Sequence, residues 1–128
     1  MAKTPVETES APRPGGAYSQ AMVVGPLVFT SGITPVDPST GKVVAGDVGV
    51  QTEQVLRNLD AILKAAGSGL EHAVKATVHL QDLRGDFVRF NEAYGRLMPD
   101  PKPVRTTVGS DLRGVLVEID LVAEIPQA

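Results

Sequence analysis

The chain has 128 residues, 42% hydrophobic and 21% charged, the balance of one globular domain with a single core. Its formal charge of −3 is carried with the Lys and Arg residues dispersed, which is not the clustered cation surface that nucleic acid requires. It has no cysteine, which excludes disulfides, thiolate chemistry and cysteine-ligated metals. With three Phe, two Tyr and no Trp, the core must come from Val, Leu, Ile and Ala.

Residues 1–16, "MAKTPVETESAPRPGG", read as a flexible lead-in to a single domain over 17–128. They lack the apolar run of a secretory signal, and no stretch approaches the ~20 residues of a transmembrane helix. A cytoplasmic chain without a membrane partner is expected. Two β-rich runs, at about 18–24 and 27–31, flank Gly25-Pro26, and a short third strand falls near 42–44. From Asp47 the period changes. Val48, Val55, Leu59, Ile62, Leu63 and Ala66 recur at helical spacing, and Gly67 supplies a stop. Residues 73–81 alternate as a strand, with Lys75, Thr77, His79 and Gln81 on its polar side. A second helix is expected from near Asp86, carrying Phe87, Phe90, Tyr94 and Leu97, and "MPDPKP" ends it. Residues 103–125, "PVRTTVGSDLRGVLVEIDLVAEI", read as two strands joined by a short polar turn in a hairpin.

This order predicts an α+β fold, a sheet of about six strands with both helices on one face. In the last strand Val115, Val117, Ile119, Leu121 and Ala123 fall under the helices. Leu116, Glu118, Asp120, Val122 and Glu124 fall on the other face. A half-apolar face with embedded charges is expected to be covered by another copy of the chain.

Three charges stand inside these strands: Arg105, Glu118 and Asp120. Charges there are costly unless solvent, a partner or a ligand receives them. An arginine fork fits a carboxylate in two-point contact. On pattern alone a plain cross-strand Arg–Glu pair accounts for Arg105 and Glu118 better than a site does. His72 and His79 lack a nearby acidic ligand motif, so no metal site is expected. "GSGLE" lacks the strand–loop–helix setting of a phosphate loop.

The stretches "GAYSQAMVVGPLVFTSG", "VKATVHLQDLRGDFVRFNEAY" and "VRTTVG…VLVEIDLVA" together resemble the RidA/YjgF family of reactive-intermediate (enamine/imine) deaminases, in order from about residue 11 to 124. The resemblance implies a chorismate-mutase-like fold with a mixed sheet. It also implies a homotrimer whose sheets form a central barrel, with sites in clefts between subunits. The implied reaction is hydrolysis of imines, or of enamines that tautomerise to imines, to 2-oxo acids and ammonia, with no cofactor. In that family's pattern Arg105 binds the substrate carboxylate and the backbone at Thr107 helps hold it. Glu118 activates the attacking water, and Tyr18, Ser31 and Asn91 line the cleft; Asp120 takes a structural role. Each lining residue also has a plainer reading: an interface aromatic for Tyr18, a turn residue for Ser31, a solvent-facing amide for Asn91.

The sequence departs from the pattern in three places. Ile33 replaces a glutamine, Ala17 replaces a proline before Tyr18, and the link from Arg105 to Glu118 is shorter by about two residues. The alternatives are a non-catalytic trimer that binds a metabolite or protein and, with less support from the residues, an endoribonuclease.

Overall fold

The computed structural model describes residues 2–127; Met1 and Ala128, the outermost positions of the expected lead-in and domain, lie outside the described residues. The strands are β1 (Thr4–Val6), β2 (Ala21–Val24), β3 (Leu27–Thr30), β4 (Val36–Asp37), β5 (Lys42–Val43), β6 (Ala73–Leu80), β7 (Val104–Gly109) and β8 (Val117–Glu124). Helix α1 (Val48–Ala65) lies between β5 and β6, and α2 (Leu83–Leu97) between β6 and β7. Among the described residues no helix is long and apolar enough to cross a membrane.

Local chemistry sets the helix ends. Asp47 caps α1 by accepting a hydrogen bond from the Val50 amide, and Gly67, at φ 86°, turns the chain out of the helix beyond Ala66. α2 begins at Leu83, earlier than the expected Asp86, because Asp82 caps it by accepting from the Gly85 amide at 3.0 Å. Gly85 in the first turn hides that start from a reading of apolar spacing.

The main sheet is six-stranded and mixed, in the order β1-β2-β3-β8-β6-β7, with only β6 and β7 parallel. Its membership differs from the expected one. The strand foreseen near 42–44 is β5, which pairs with β4 in a separate small sheet. The remaining strand of the main sheet is β1, so the expectation of a flexible lead-in does not hold over Thr4–Val6. Antiparallel pairing with β2 orders Thr4–Val6, and two further contacts hold the lead-in. Val6 is buried in the core, and the buried Gln20 amide accepts from the Thr8 amide at 2.7 Å while donating to the carbonyls of Thr8 and Pro12 at 3.0 and 2.8 Å. Gln20→Ala is expected to remove about 1–3 kcal/mol of local stability by orphaning these groups. Hydrogen exchange at the Thr8 amide should accelerate, while amides in α1 keep their protection.

β7 and β8 do not form the expected hairpin. β6 lies between them, parallel to β7 and antiparallel to β8. The reason is the connection: β6, α2 and β7 form a β-α-β crossover, whose strands run parallel, and β8 then occupies the other edge of β6.

Register fixes the two faces of the sheet. Ala76 stands between Arg105 and Leu121, and Val78 between Thr107 and Ile119. Ala76, Val78, Leu80, Val117, Ile119, Leu121 and Ala123 are all buried, together with Val55, Leu56, Leu59, Ile62 and Leu63 of α1 and Phe90 of α2. Both helices therefore cover this face. The opposite face carries Lys75, Thr77 and His79 beside Val122, Asp120 and Glu118, and Val104 and Val108 flank them on β7. Val24, Phe29, Val104 and Val108 are exposed there, Val104 by 67%. A sheet face of this composition is suited to a second protein surface.

Candidate active site

Arg105 projects from the edge strand β7 on the helix-covered face, beside Ala76. Its guanidinium carbon lies 4.8 Å from the centroid of the Tyr94 ring, 5.3 Å from Phe90 and 5.9 Å from Phe87. Those rings recur at helical spacing on α2, so one stripe of the helix faces one cation. Thr107 lies two residues further along the same strand face, half-buried. Asn91 is exposed on α2, one turn after Phe87 and just before Tyr94, at the margin of the aromatic stripe. Arg105, Thr107 and Asn91 thus form one group at the β7 edge.

Glu118 belongs to a second group. It leaves β8 on the opposite face, across from His79. Ile33 and Ile119 exchange backbone hydrogen bonds of 2.8 and 3.1 Å, which lays Ser31-Gly32 alongside Glu118. The fit is tight. A Cβ built on Gly32 would meet the Glu118 Oε2 at 2.5 Å, so only glycine leaves the carboxylate its place. Ser31 is fixed by its amide and hydroxyl, which both donate to the Gln20 carbonyl, at 2.9 and 3.2 Å. Tyr18 is exposed and lines one depression with Ser31 and Gly32, and a larger cleft of about 550 Å³ with Arg13, Thr34 and Val36. Its hydroxyl accepts from the Gly15 amide at 3.0 Å, which leaves the phenolic hydrogen free to donate.

The structure therefore seats Glu118 against Gly32, which lines a depression with Tyr18 and Ser31, and sets Arg105, Thr107 and Asn91 in another group; Glu118 and Arg105 leave opposite faces of one sheet. No cross-strand Arg105–Glu118 pair exists, because β6 separates their strands. Ile33 is buried in the core cluster, so the loss of a glutamine there changes the packing beneath Ser31-Gly32. The shortened link after β7 is pinned. The Ser110 amide donates to the Leu80 carbonyl at 2.9 Å, its hydroxyl bonds His79 Nδ1 at 2.7 Å, and the Leu112 amide donates to Gln81 at 2.7 Å.

Apolar spacing gave no sign of several residues that hold the site. Gln51 and Asn58 are buried on α1. Asn58 donates to the carbonyls of Thr34 and Val36 at 3.1 and 2.8 Å, and Gln51 accepts from the Leu116 amide at 2.8 Å. They tie the helix to the segment that follows Gly32 and the one that precedes Glu118. Polar residues within an apolar helical stripe are the signal that marks them.

Asp120 sits one pleat beyond Glu118, with Thr77 opposite and Lys75 and His79 diagonal to it. Burial pushes its carboxyl above the ordinary 3.8, and the charges of His79 and Lys75 pull it part of the way back. The folded chain then holds this proton more tightly than the unfolded chain, so stability falls as pH rises from 3.8 through the raised value. Asp120→Asn should accordingly stabilise the protein at pH 7, by less than about 1 kcal/mol because solvent screens a half-buried carboxylate. The gain should fade as melting curves are taken at pH values approaching 3.8.

Comparison with known proteins places the chain. Residues 8–125 match the family model described as Endoribonuclease L-PSP. A RutC family protein of Pyrococcus abyssi is 44% identical over 96% of this chain and 98% of its own length. The chloroplastic Reactive Intermediate Deaminase A of Arabidopsis thaliana is 43% identical over 96% of this chain and 66% of its own. The crystal structure of Escherichia coli TdcF with bound serine superposes with a TM-score of 0.88 at 36% identity, covering 94% of this chain and 98% of that one. The match along nearly the whole chain, in sequence and in fold, makes this protein a member of the RidA/YjgF family.

Proposed function

We propose that the protein is an imine deaminase that hydrolyses 2-aminoacrylate- and 2-iminopropionate-like intermediates to 2-oxo acids and ammonia, in clefts between the subunits of a homotrimer. The observation that carries this reading is the opposition of the two groups. Arg105 and Thr107 at one edge and Glu118 against Gly32 leave opposite faces of the sheet, which supports a substrate held between groups from different copies. The exposed Val24, Phe29, Val104 and Val108 supply the apolar surface for such an assembly. The name of the Arabidopsis relative and the serine bound to TdcF, a small amino acid with a carboxylate, agree with a substrate of this class.

The chemistry follows from the residue types. Arg105 takes the substrate carboxylate in two-point contact and fixes the imine carbon beside it; the backbone at Thr107, on an edge strand, adds a further contact. Tyr18, Ser31 and Asn91 close the cleft around the substrate. The imine carbon is electrophilic once its nitrogen is protonated, so water adds directly. Glu118 accepts a proton from that water as the C–O bond forms, giving a carbinolamine, and returns a proton to the nitrogen. The C–N bond then breaks, the hydroxyl loses its proton as the carbonyl forms, and ammonia leaves with a 2-oxo acid as the other product.

A coupled assay tests this reading. An amino-acid oxidase generates 2-iminopropionate, and its decay is followed with and without the protein. Faster decay that disappears in Glu118→Gln is the expected result. Unchanged decay with tight binding of a small 2-oxo acid points to a binding trimer instead. RNA cleavage that survives exhaustive purification and is lost in Arg105→Ala points to the nuclease that the family description names.

A further inference from the structure

We propose that Phe87, Phe90 and Tyr94 form an aromatic cradle that aims the Arg105 guanidinium at the substrate while leaving its charge unspent, making these three rings positioning residues of the anion site. The proposal rests on the reading of Arg105 as the carboxylate anchor. It adds how a flexible side chain is held ready.

An arginine fork can be fixed in two ways, by carboxylates or by ring faces. A carboxylate partner fixes it by neutralising it, which would set it in competition with an arriving anion. Among the described residues, the ion pairs involve Arg13, Arg57, Lys64, Arg89 and Lys102, and none involves Arg105. Three rings surround it, at 4.8, 5.3 and 5.9 Å. The attraction of a ring quadrupole orients the cation and leaves its N–H groups for a ligand. The rings are themselves held firmly. Phe90 and Tyr94 are buried, and their centroids are 5.5 Å apart at a 43° tilt. Phe87 is partly exposed at the rim.

Tyr94 carries a second indication. Its hydroxyl is buried without a hydrogen-bond partner, so the residue is not kept there by a bond of its phenol. What Tyr94 presents to Arg105 is a ring face. Burial also holds the phenol in its neutral form, against the pull of Arg105, so it does not become a counter-ion.

The test is titration of the assembled protein with pyruvate, a small 2-oxo acid, beside steady-state kinetics. Fixing one rotamer-rich side chain corresponds to roughly a 2- to 10-fold effect on affinity. Tyr94→Leu and Phe90→Leu should raise the pyruvate Kd and the KM by that factor, with a smaller change in kcat. Tyr94→Phe restores the ring and should recover the affinity that Tyr94→Leu loses. Phe87→Leu, at the exposed rim, repeats the test should either buried variant fail to fold. Leucine variants that bind pyruvate as the wild type does overturn the cradle, as does a Tyr94→Phe that binds as poorly as Tyr94→Leu. Failure of the underlying reading looks different: Arg105→Ala would then bind pyruvate unchanged, or the wild type would not bind it at all.

Discussion

Subunits carrying Arg105→Ala, mixed with subunits carrying Glu118→Gln, should recover imine hydrolysis that neither variant shows alone. Losing the two-point, charge-assisted contact at Arg105 should lower kcat/KM by about 10²- to 10³-fold. Losing the proton acceptor at Glu118 should cost a similar or larger factor in kcat, about 10²- to 10⁴-fold. The recovery depends on where the two groups stand. They lie on opposite faces of the sheet with β6 between their strands, so each proposed cleft takes Arg105 from one copy and Glu118 from its neighbour. In a trimer containing both variants, one interface of the three joins an intact Arg105 to an intact Glu118. Random assembly of an equal mixture makes three trimers in four mixed, so about one quarter of all sites should be restored. Activity no higher than the sum of the two parents would show that a single chain furnishes both groups, and the composite cleft would be abandoned.

What the sequence made legible, and what it hid, follows from the range over which each feature is set. The alternation of Val117, Ile119, Leu121 and Ala123 against Glu118, Asp120 and Val122 declares the two faces of β8, because side-chain parity is a property of one strand. The stripe Val55, Leu59, Ile62 declares α1 for the same kind of reason. Strand neighbours are another matter. Parity cannot say whether β7 lies beside β8 or beside β6; the helix between β6 and β7 could have said so, since a crossover implies a parallel pair. β1 was hidden because three residues among prolines carry no period, and its order comes from backbone pairing with β2, while Gln20 holds the backbone of Thr8 and Pro12 just beyond it. Arg105 and Glu118 stand out as charges inside strands, but spacing alone favours a plain ion pair, and only the family motif assigns them to a site. The contact that seats Glu118 was invisible for a simple reason: it depends on a bridge between Ile33 and Ile119, far apart along the chain.

That seat gives the second large expected effect. Gly32→Ala should abolish most of the activity while leaving the fold and the anion site nearly intact. The new Cβ would fall 2.5 Å from the Glu118 Oε2, 2.9 Å from its Cδ and 3.2 Å from its Cγ. These contacts are too short to persist, and what yields is the end of a flexible side chain. The backbone has little reason to move: Gly32 is not among the glycines held at positive φ, so alanine can adopt its conformation. The melting temperature should therefore shift by only a few degrees. The carboxylate, in contrast, must swing away from the place where it is proposed to meet the water, and a displacement of about 1 Å in such a group can cost 10²-fold. A fall of roughly that size in kcat is expected. Pyruvate affinity should stay within a small factor of the wild type, because the Arg105 that anchors the anion in each proposed cleft comes from the neighbouring copy and is held by its own strand and rings. The split between kcat and affinity is what separates a displaced Glu118 from a damaged fold, which would lower both. A Gly32→Ala protein with wild-type kcat would mean that the position of this carboxylate does not matter, and Glu118 could then no longer be the group that activates water.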